Sequence, residues 1–318
     1  VLLKMSEFTP KFSQLFAELC DKYLSKDALG ADWVKVINGG PEVGEAFSKL
    51  AFDHLIFTGS GRIGQKVMQA ASENLTPITL ELGGKSPTII DKEFPLKLAT
   101  ERLLFGKLLN AGQTCLAPDY AFVHDDQVEA FVEQAKETVQ AFYPDWKGGE
   151  YTALSSEKQL DRYQSLLQDA RDKGAEIIPL LGTEEPEGRK VPPLLILNTT
   201  PEMQVRQEEI FGPVLQVTRV ANWKAAIAEA NNTRFGLAAG LVSGDVNLWE
   251  DFRARIRAGV VNFNRPTTGA ASFLPFGGPG ASGNHNPGAY YAADFCAWPM
   301  ASQVADAPEF MPMQGLKE

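Results

Sequence analysis

The chain has 318 residues, of which 44% are hydrophobic, and it carries a formal net charge of −10. This length and composition predict a globular protein with one large or two moderate cores. The acidic charge, together with the lack of a long Lys or Arg block, argues against nucleic acid as a partner. No apolar run approaches the roughly eighteen residues that span a bilayer, so we expect no membrane partner either.

The cysteines indicate the redox compartment. Cys20, Cys115 and Cys296 lie far apart in unlike surroundings. An odd count without regular spacing is more typical of a reducing compartment than of a disulfide framework, so we expect a cytoplasmic protein. The chain opens on Val1 rather than on methionine, and we therefore expect a preceding segment, with any targeting peptide, to be missing from this sequence.

Strand and helix patterns alternate along the first part of the chain. Thr9 followed by Pro10 is a typical helix start, and apolar residues then recur at helical spacing. Cys20 falls within this apolar stripe and is expected in the core. The stripe consists of Phe12, Leu15, Phe16, Leu19 and Tyr23. Predicted strands cover residues 1–3, 33–37, 54–58 and 78–80, and predicted helices cover residues 12–23, 42–50 and 62–71.

The same alternation continues to about residue 262. Ser155 is available as the N-cap of a helix, with Glu157 in the first turn. Predicted strands cover residues 87–90, 121–124, 177–178, 194–197, 214–220, 238–242 and 259–262, and predicted helices cover residues 96–109, 127–142, 155–170, 223–230 and 248–257. This alternation predicts an α/β fold with a parallel sheet, whose ligands bind at the carboxyl ends of the strands.

A glycine-rich turn occupies residues 57–64, between a predicted strand and a predicted helix. The sequence FTGSGRIG places Gly59, Gly61 and Gly64 where a turn of this kind meets a dinucleotide pyrophosphate. A single match to this pattern is weak, and a tight turn without any ligand would use the same glycines. The position between strand and helix favours nucleotide binding.

Cys115 is the candidate nucleophile. It follows the small, polar stretch of residues 110–114, NAGQT, whose glycine allows close approach and whose backbone N–H groups could hold an oxyanion. A thiol is the best carbonyl nucleophile among the side chains. An isolated cysteine of this kind is more often a small buried apolar residue.

Glu81 is the candidate base. It ends a predicted strand and precedes Gly83 and Gly84, so it lies in a turn 115 − 81 = 34 positions before Cys115. A carboxylate there is either a solvated loop charge or a base directed into the cleft where parallel strands end. The histidines, His54, His124 and His285, have no ligand spacing, so we expect no metal site.

Five motifs in order carry a resemblance to a known family. FTGS, LELGGKSP, NAGQTC, QEEIFGPV and LPFGG resemble the NAD(P)-dependent aldehyde dehydrogenase superfamily over essentially the whole chain. The resemblance implies an aldehyde dehydrogenase-like α/β fold. We expect a dinucleotide-binding domain, incomplete at its N-terminus, at residues 1–82, a catalytic domain at 83–287 and an oligomerisation segment with a C-terminal strand at 288–318.

The resemblance also implies a role for each matching residue. Cys115 would attack an aldehyde, and Glu81 would activate the water that hydrolyses the thioester. The implied cofactor is NAD, with NADP as the alternative, because Glu7 near a ribose would repel a 2′-phosphate. The residues implied to bind the cofactor are Lys4 and Glu7 at the adenine ribose, Gly59, Ser60, Gly64 and Leu82 around the pyrophosphate turn, and Glu209 and Phe211 at the nicotinamide.

The implied substrate is a small-molecule aldehyde, and two classes remain open. Residues 6–191 resemble coniferyl-type enzymes, which act on aryl or long apolar aldehydes, whereas the sequence from 233 onward resembles succinylglutamate semialdehyde dehydrogenases. Phe276 would line the site. Because the backbone N–H groups of Gly269 and Ala270, with Arg265, could bind a carboxylate, we expect an anionic semialdehyde to be favoured.

Two departures from the family and two rival functions accompany the resemblance. Met5 replaces a usual proline, and the segment that carries the family's second oxyanion donor, an asparagine, is missing, which by itself would slow catalysis about 10²- to 10³-fold. The rivals are a non-catalytic assembly subunit and an acylating enzyme that uses coenzyme A. Glu81, which can activate water, argues against the acylating enzyme. The apolar segment at 288–318 implies a homo-oligomer, either a dimer or a tetramer.

Overall fold

The computed structural model describes residues 1–24, 33–271, 273–284, 297 and 300–302. Within these residues strands and helices alternate almost throughout. The strands are β1 (Leu2–Lys4), β2 (Lys35–Ile37), β3 (Leu55–Thr58), β4 (Ile78–Glu81), β5 (Ser86–Ile90), β6 (Pro118–His124), β7 (Glu176–Pro179), β8 (Leu194–Leu197), β9 (Val214–Val220), β10 (Ala238–Val242) and β11 (Val260–Phe263). The helices are α1 (Pro10–Tyr23), α2 (Pro41–Ser48), α3 (Gly61–Ser72), α4 (Leu96–Leu108), α5 (Val128–Phe142), α6 (Glu157–Asp172), α7 (Gln204–Gln207), α8 (Trp223–Ala230) and α9 (Val246–Arg255).

The strands of the described residues form three sheets. The largest has seven strands in the order β11-β10-β5-β6-β9-β8-β7, and each neighbouring pair in it is parallel except β7 with β8. β1 pairs with β2, and β3 pairs with β4, each as a parallel two-stranded sheet. The α/β architecture with a predominantly parallel sheet, predicted from the alternation, is confirmed.

The main core lies on both faces of the seven-stranded sheet. β5, β6 and β10 are almost entirely buried, as expected for strands of a parallel sheet that is covered on both faces, and they bury polar side chains such as Thr88 and Asp119 as well as apolar ones. On one face α4 and α5 contribute residues such as Leu104 and Phe131. On the other face α8 and α9 contribute residues such as Ile227 and Phe252. Cys115 lies just before the amino end of β6 in this sheet, whereas Glu81 is the last residue of β4 in the β3–β4 sheet.

Helix α1 differs from the expectation in one respect. The helix itself is confirmed, and Cys20 is buried as predicted. Most of the apolar stripe, however, is exposed, with Phe12 at 57% and Leu15 at 54%. Among the described elements α1 packs mainly against β2. A two-stranded sheet is too narrow to cover the whole stripe, so helical periodicity predicted the helix correctly but not its burial.

The N-cap of α6 is Ser156 rather than the predicted Ser155. Ser156 Oγ accepts a hydrogen bond from Gln159 N at 3.2 Å. The backbone N–H of Ser155 instead donates to Gln113 Oε1 at 2.8 Å. Because Gln113 holds the backbone of Ser155, the next serine, Ser156, occupies the N-cap position of α6.

None of the described helices is both long and apolar enough to cross a membrane.

Candidate active site

The loop before Cys115 has an unusual backbone conformation. After α4 the chain makes a single 3₁₀ turn, Leu109–Gly112, in which Asn110 and Ala111 both have φ of 52°. Gly112 follows with φ of 74°, and a Cβ at this position would collide with the carbonyl oxygen of Gly212. Only glycine meets both conditions, so the glycine of the NAGQTC motif lets the loop approach the neighbouring chain closely.

Side-chain hydrogen bonds fasten this loop on two sides. Gln113 Nε2 donates to the carbonyl oxygens of Asn110 (3.1 Å) and Ala153 (3.0 Å). On the far side of Cys115, Thr267 Oγ1 donates to Leu116 O at 2.6 Å. Gln113 and Thr267 are both buried. Cys115 is therefore held on a loop with fixed partners, as a positioned nucleophile requires.

Glu81 lies next to the glycine-rich turn because β3 and β4 end together. Thr58 pairs with Glu81 in the parallel ladder, and Gly59 N donates to Glu81 O at 3.1 Å. The Glu81 side chain is half-buried, and its Oε2 makes no hydrogen bond in the described residues. Burial raises the pKa of Glu81 to about 7. A carboxyl group with this pKa is suited to proton transfer near neutral pH.

The turn after β4 brings Glu81 close to Cys115. Leu82, Gly83 and Gly84 are buried, and a Cβ at Gly84 would collide with the carbonyl oxygen of Cys115. The negative charge of Glu81 is among the influences that raise the pKa of Cys115. The two candidate catalytic residues, 34 positions apart in sequence, are therefore neighbours across one turn.

The thiol of Cys115 is protonated at neutral pH in this environment. Its pKa is raised to about 11, chiefly by burial and then by the charge of Glu209. The backbone N–H groups of Cys115 itself and of Leu116 act in the opposite direction by stabilising the thiolate. These two donors are the backbone groups that the structure places beside the sulfur.

Glu209, predicted to bind the nicotinamide ribose, lies against the turn between β4 and β5. Its Oε1 accepts a hydrogen bond from Gly84 N at 3.0 Å, and a Cβ at Gly83 would collide with its carboxylate. Burial raises the pKa of Glu209 to about 7, while the Gly84 amide lowers it. The structure thus brings Glu209 into the neighbourhood of Cys115, as the family resemblance implies.

Two residues of α6 hold the loop that carries Glu209 and Phe211. Gln159 Nε2 donates to Phe211 O at 3.1 Å, and Arg162 donates to Ile210 O at 3.0 Å and to Glu209 O at 2.5 Å. Phe211 itself has φ of 55°. Neither Gln159 nor Arg162 was predicted to belong to the site, because both read as ordinary polar positions on an amphipathic helix.

A buried polar cluster beneath the same loop was also missed. Lys85 Nζ donates to Asp119 Oδ1 at 2.7 Å and to Val205 O at 2.6 Å. Asp119 Oδ2 accepts from Ile210 N at 3.1 Å, and Gln216 Nε2 donates to Asp119 Oδ1 at 2.9 Å. The one signal in the sequence was a lysine that leads directly into an apolar strand in LELGGKSP, where an unpaired charge would be costly.

Apart from Gly59 N, which is bonded to Glu81 O, the N–H groups at the start of α3 are suited to an anion. Gly59 and Ser60 are exposed, Ser60 is the N-cap of α3 without a side-chain cap, and the first turn of α3 contains no acidic residue. The first N–H groups of such a helix point outward and favour negative charge. Gly64 and Leu82 lie beneath this turn and pack closely, since a Cβ at Gly64 would come within 2.7 Å of the Leu82 side chain. These residues fit a dinucleotide phosphate.

Lys4 and Glu7 form an ion pair of 3.2 Å just beyond β1. A backbone hydrogen bond, followed by smaller contributions from Lys4, lowers the pKa of Glu7, so Glu7 is ionised at neutral pH. β1 belongs to the β1–β2 sheet, whereas the glycine-rich turn follows β3 of the β3–β4 sheet. The predicted ribose and pyrophosphate contacts are therefore carried by separate strand pairs.

Phe276, one of the predicted substrate residues, lies near the thiol. Phe276 and Cys115 pack against the same apolar cluster of Leu116, Leu237 and Ala238, so Phe276 lines the neighbourhood of the thiol.

The amides of Gly269 and Ala270 do not have the free N–H groups that a carboxylate site requires. Gly269 N donates to Pro266 O at 3.0 Å, and Ala270 N donates to Thr268 O at 2.9 Å. The turn that exposes the two residues also uses their donors, so a carboxylate bound by these amides would have to displace Pro266 O and Thr268 O. Arg265 is exposed.

No group of three or more His, Cys, Asp or Glu side chains in the described part of the chain could hold a metal ion.

Comparison with known proteins agrees with this geometry. The sequence profile of the aldehyde dehydrogenase family matches residues 1–298. The chain is 43% identical over 313 residues to the "Probable coniferyl aldehyde dehydrogenase" of Pseudomonas aeruginosa, covering 98% of this chain and 64% of that protein. It is 35% identical over 314 residues to the N-succinylglutamate 5-semialdehyde dehydrogenase of Sphingopyxis alaskensis, covering 96% of this chain and 64% of that protein.

Solved structures have the same fold. A substrate-bound Staphylococcus aureus AldH superposes with a TM-score of 0.85 at 32% identity and covers 99% of this chain and 68% of that one. A Mycobacterium tuberculosis aldehyde dehydrogenase complexed with NAD⁺ gives a TM-score of 0.82 at 29% identity over 92% of this chain and 61% of that one. The chain spans less than two thirds of the length of the curated relatives described above. The family match and the arrangement of Cys115 and Glu81 together show that this chain belongs to the aldehyde dehydrogenase family.

Proposed function

We propose that the chain carries the catalytic residues of an NAD-dependent aldehyde dehydrogenase, which oxidises an aldehyde to a carboxylic acid through a thioester on Cys115. The observation that carries the proposal is the meeting of Cys115 and Glu81 across the buried Gly83–Gly84 turn. A non-catalytic assembly subunit has no physical need for a fixed thiol beside a half-buried carboxyl group.

The residues present can carry out both halves of the reaction. Cys115 Sγ forms a bond to the aldehyde carbon, and the thiol proton passes to the carbonyl oxygen to give the hemithioacetal, whose hydroxyl proton goes to water when the C=O bond re-forms. A bound nicotinamide would accept the hydride released when the carbonyl re-forms as a thioester. Glu81 then takes a proton from water, the hydroxide oxygen bonds to the acyl carbon, and the C–S bond breaks to release the acid, while the sulfur regains as a thiol the proton held by Glu81.

The cofactor assignment rests on the exposed, uncapped turn at Gly59–Ser60 and on the position of Glu209 next to the thiol. Lys4 and Glu7 would meet the adenine ribose. Glu7 would accept hydrogen bonds from ribose hydroxyls and repel a 2′-phosphate, which favours NAD over NADP. The structural neighbours include a Mycobacterium tuberculosis enzyme in complex with NAD⁺ and an E. coli NADP-dependent enzyme, so the preference for NAD rests on Glu7 alone.

Two substrate classes are candidates. An anionic semialdehyde is favoured by the exposed Arg265 and by relatives named for succinylglutamate semialdehyde. An aryl aldehyde is favoured by the relative with 43% identity, which is named for coniferyl aldehyde. We expect kcat/KM to be higher for a semialdehyde bearing a carboxylate than for a cinnamaldehyde, and Arg265→Gln to lower only the former. A clear preference of the unsubstituted chain for the aryl aldehyde would reverse the assignment.

The domain, assembly and compartment assignments are proposals as well. A division into domains at 1–82 and 83–287 is supported by the change of sheet between β4 and β5. The oligomerisation segment proposed at 288–318 lies outside the described residues except for 297 and 300–302, as does Cys296. A homo-oligomer is proposed from the family to which the chain belongs. A cytoplasmic location is proposed from the free thiols of Cys20 and Cys115.

A trapped intermediate tests the proposed function. We expect Glu81→Gln, incubated with NAD and aldehyde, to accumulate an acyl adduct on Cys115, because deacylation has lost its base. Intact and peptide mass spectrometry would detect the adduct, and Cys115→Ser should show none. Glu93→Gln, which changes an exposed carboxylate outside the proposed site, is the control and should behave like the unsubstituted chain. An adduct that hydrolyses equally fast in Glu81→Gln, or no adduct in any form, would contradict the proposal.

A further inference from the structure

The edge of β4 that faces away from β3 is covered by a short segment near residue 283. Leu82 N donates to Ser282 O at 3.0 Å, and Glu81 pairs with Gly283 in an antiparallel bridge. Gly283 has φ of 149°, and a Cβ there would collide with the carbonyl oxygen of Leu80. The segment thus lies directly against the strand that carries the proposed catalytic base.

The side chain of Asn284 continues the hydrogen bonding along the same edge of β4. Its Oδ1 accepts a hydrogen bond from Leu80 N at 3.0 Å, and its Nδ2 donates to Ile78 O at 2.6 Å. A primary amide has the donor and acceptor of a peptide group, so Asn284 replaces the backbone of a neighbouring strand. Both backbone groups that it satisfies belong to β4.

The other end of the segment is anchored on the loop before β10. Ser282 Oγ accepts a hydrogen bond from Gly236 N at 3.0 Å, and Ala281 N donates to Arg234 O at 2.9 Å. The segment therefore links β4 to the loop that enters the seven-stranded sheet. Among the described strands β4 pairs with β3 alone, so it has few other attachments of this kind.

We propose that Asn284 is a positioning residue, which holds β4 so that the Glu81 carboxylate stays in the cleft beside Cys115. The inference rests on the proposed role of Glu81 as the base. On one side Glu81 O accepts from Gly59 N, and on the other side the Gly283 bridge and the Asn284 amide fix the strand. A base must remain within hydrogen-bond reach of the attacking water, so a strand fixed on both edges serves the reaction directly.

The surroundings of Glu81 agree with this role. The half-buried carboxyl group has an Oε2 without a hydrogen-bond partner in the described residues, and burial raises its pKa to about 7. Loss of the segment would admit water to Glu81. The pKa of Glu81 therefore reports on its position without requiring turnover.

The experiment compares two asparagines that bind backbone in the same way. Asn231 Oδ1 accepts from Arg257 N at 2.8 Å, and Asn231 Nδ2 donates to Arg255 O at 2.8 Å, beyond the end of α8 and outside the β4 region. The pKa of Glu81 is measured by carboxyl ¹³C NMR on the whole chain, and the Glu81 signal is identified by its loss in Glu81→Gln. Asn284→Ala and Asn231→Ala each remove two side-chain hydrogen bonds.

We expect Asn284→Ala to lower the pKa of Glu81 from about 7 toward its ordinary value near 4.5, by about one pH unit or more, and Asn231→Ala to leave it unchanged. Gly283→Ala, which displaces the segment by collision, should produce the same fall and serves if Asn284→Ala does not fold. An unchanged Glu81 pKa in the folded variant, or an equal fall in Asn231→Ala, would overturn the inference. The result is independent of the thioester experiment, so failure of either proposal is seen separately.

Discussion

The thiol of Cys115 lies in a neighbourhood that opposes its ionisation. Burial and the carboxylates of Glu209 and Glu81 all raise its pKa, and only the backbone amides of Cys115 and Leu116 lower it. The sulfur is therefore protonated at neutral pH, as a thiol rather than a thiolate. The reactivity of Cys115 depends on its thiolate fraction, which the nearby charged residues control. Each of these charges can be removed by a single substitution.

Replacing Glu209 tests this dependence. We expect Glu209→Gln to lower the pKa of Cys115, because removal of a nearby negative charge favours the thiolate, and to speed alkylation of Cys115 at pH 8. The measurement is the rate of iodoacetamide labelling between pH 7 and 11, followed at the Cys115 peptide. In the unsubstituted chain the rate should rise as the pH approaches about 11.

Glu208→Gln is the matched control, since Glu208 is exposed and does not contribute to the pKa of Cys115. Cys20, which is buried, provides an internal reference of low reactivity. Equal labelling rates for Glu209→Gln and Glu208→Gln would show that the Glu209 charge does not reach the sulfur.

At the scale of elements, one buried ion pair connects strands from distant parts of the chain. Lys85 leads into β5, Asp119 lies on β6, and Gln216 lies on β9. The Lys85 and Asp119 side chains are only 2% and 4% exposed. Removing one charge would leave the other buried and only partly satisfied, which is far more costly than losing an ion pair in water.

Lys85→Met should therefore lower the free energy of unfolding by about 3–5 kcal/mol, because it leaves Asp119 as a buried charge without its cation. Lys92→Met breaks the exposed Lys92–Asp126 pair, whose atoms lie 2.6 Å apart, and should cost less than about 1 kcal/mol. Urea denaturation of both variants gives the comparison. Similar losses of unfolding free energy in the two variants would show that burial does not increase the contribution of the Lys85–Asp119 pair to stability.

For the whole molecule, the distribution of apolar surface is uneven. The faces of the seven-stranded sheet are covered by helices, whereas the β1–β2 and β3–β4 sheets leave large apolar side chains in solvent, including Phe12, Leu15, Ile56 and Met68. Apolar residues of α1 therefore contribute little to the stability of this chain, in contrast to those of α5.

We expect Phe12→Ser combined with Leu15→Ser to change the free energy of unfolding by no more than about 0.5 kcal/mol per site, since both side chains are exposed. Phe131→Ala, in the fully buried face of α5, should cost about 3–5 kcal/mol. Thermal and urea unfolding of the three forms would measure the difference. A loss of several kcal/mol in the double variant would mean that the stripe of α1 is covered in solution.

Local pattern predicted most of the secondary structure and the residues that carry the chemistry. Helical spacing and Pro10 predicted α1, continuous apolar runs predicted the buried strands, and glycines at turns marked the positions that follow β3 and β4. These features follow from short-range sterics and from periodicity, which act within a few residues. The ordered motifs then identified Cys115 and Glu81 together with the family.

Tertiary structure alone decided what surrounds those residues. Arg162, Lys85 and Asn284 meet their partners across 47, 34 and 204 positions, and their local sequence does not indicate which residues those partners are. Packing likewise determines how much of the α1 stripe is buried. Hydrogen bonds within a turn determine whether the amides of Gly269 and Ala270 are free. The physical reason is that burial and hydrogen-bond satisfaction depend on every group near in space, whereas propensity depends only on neighbours in the chain.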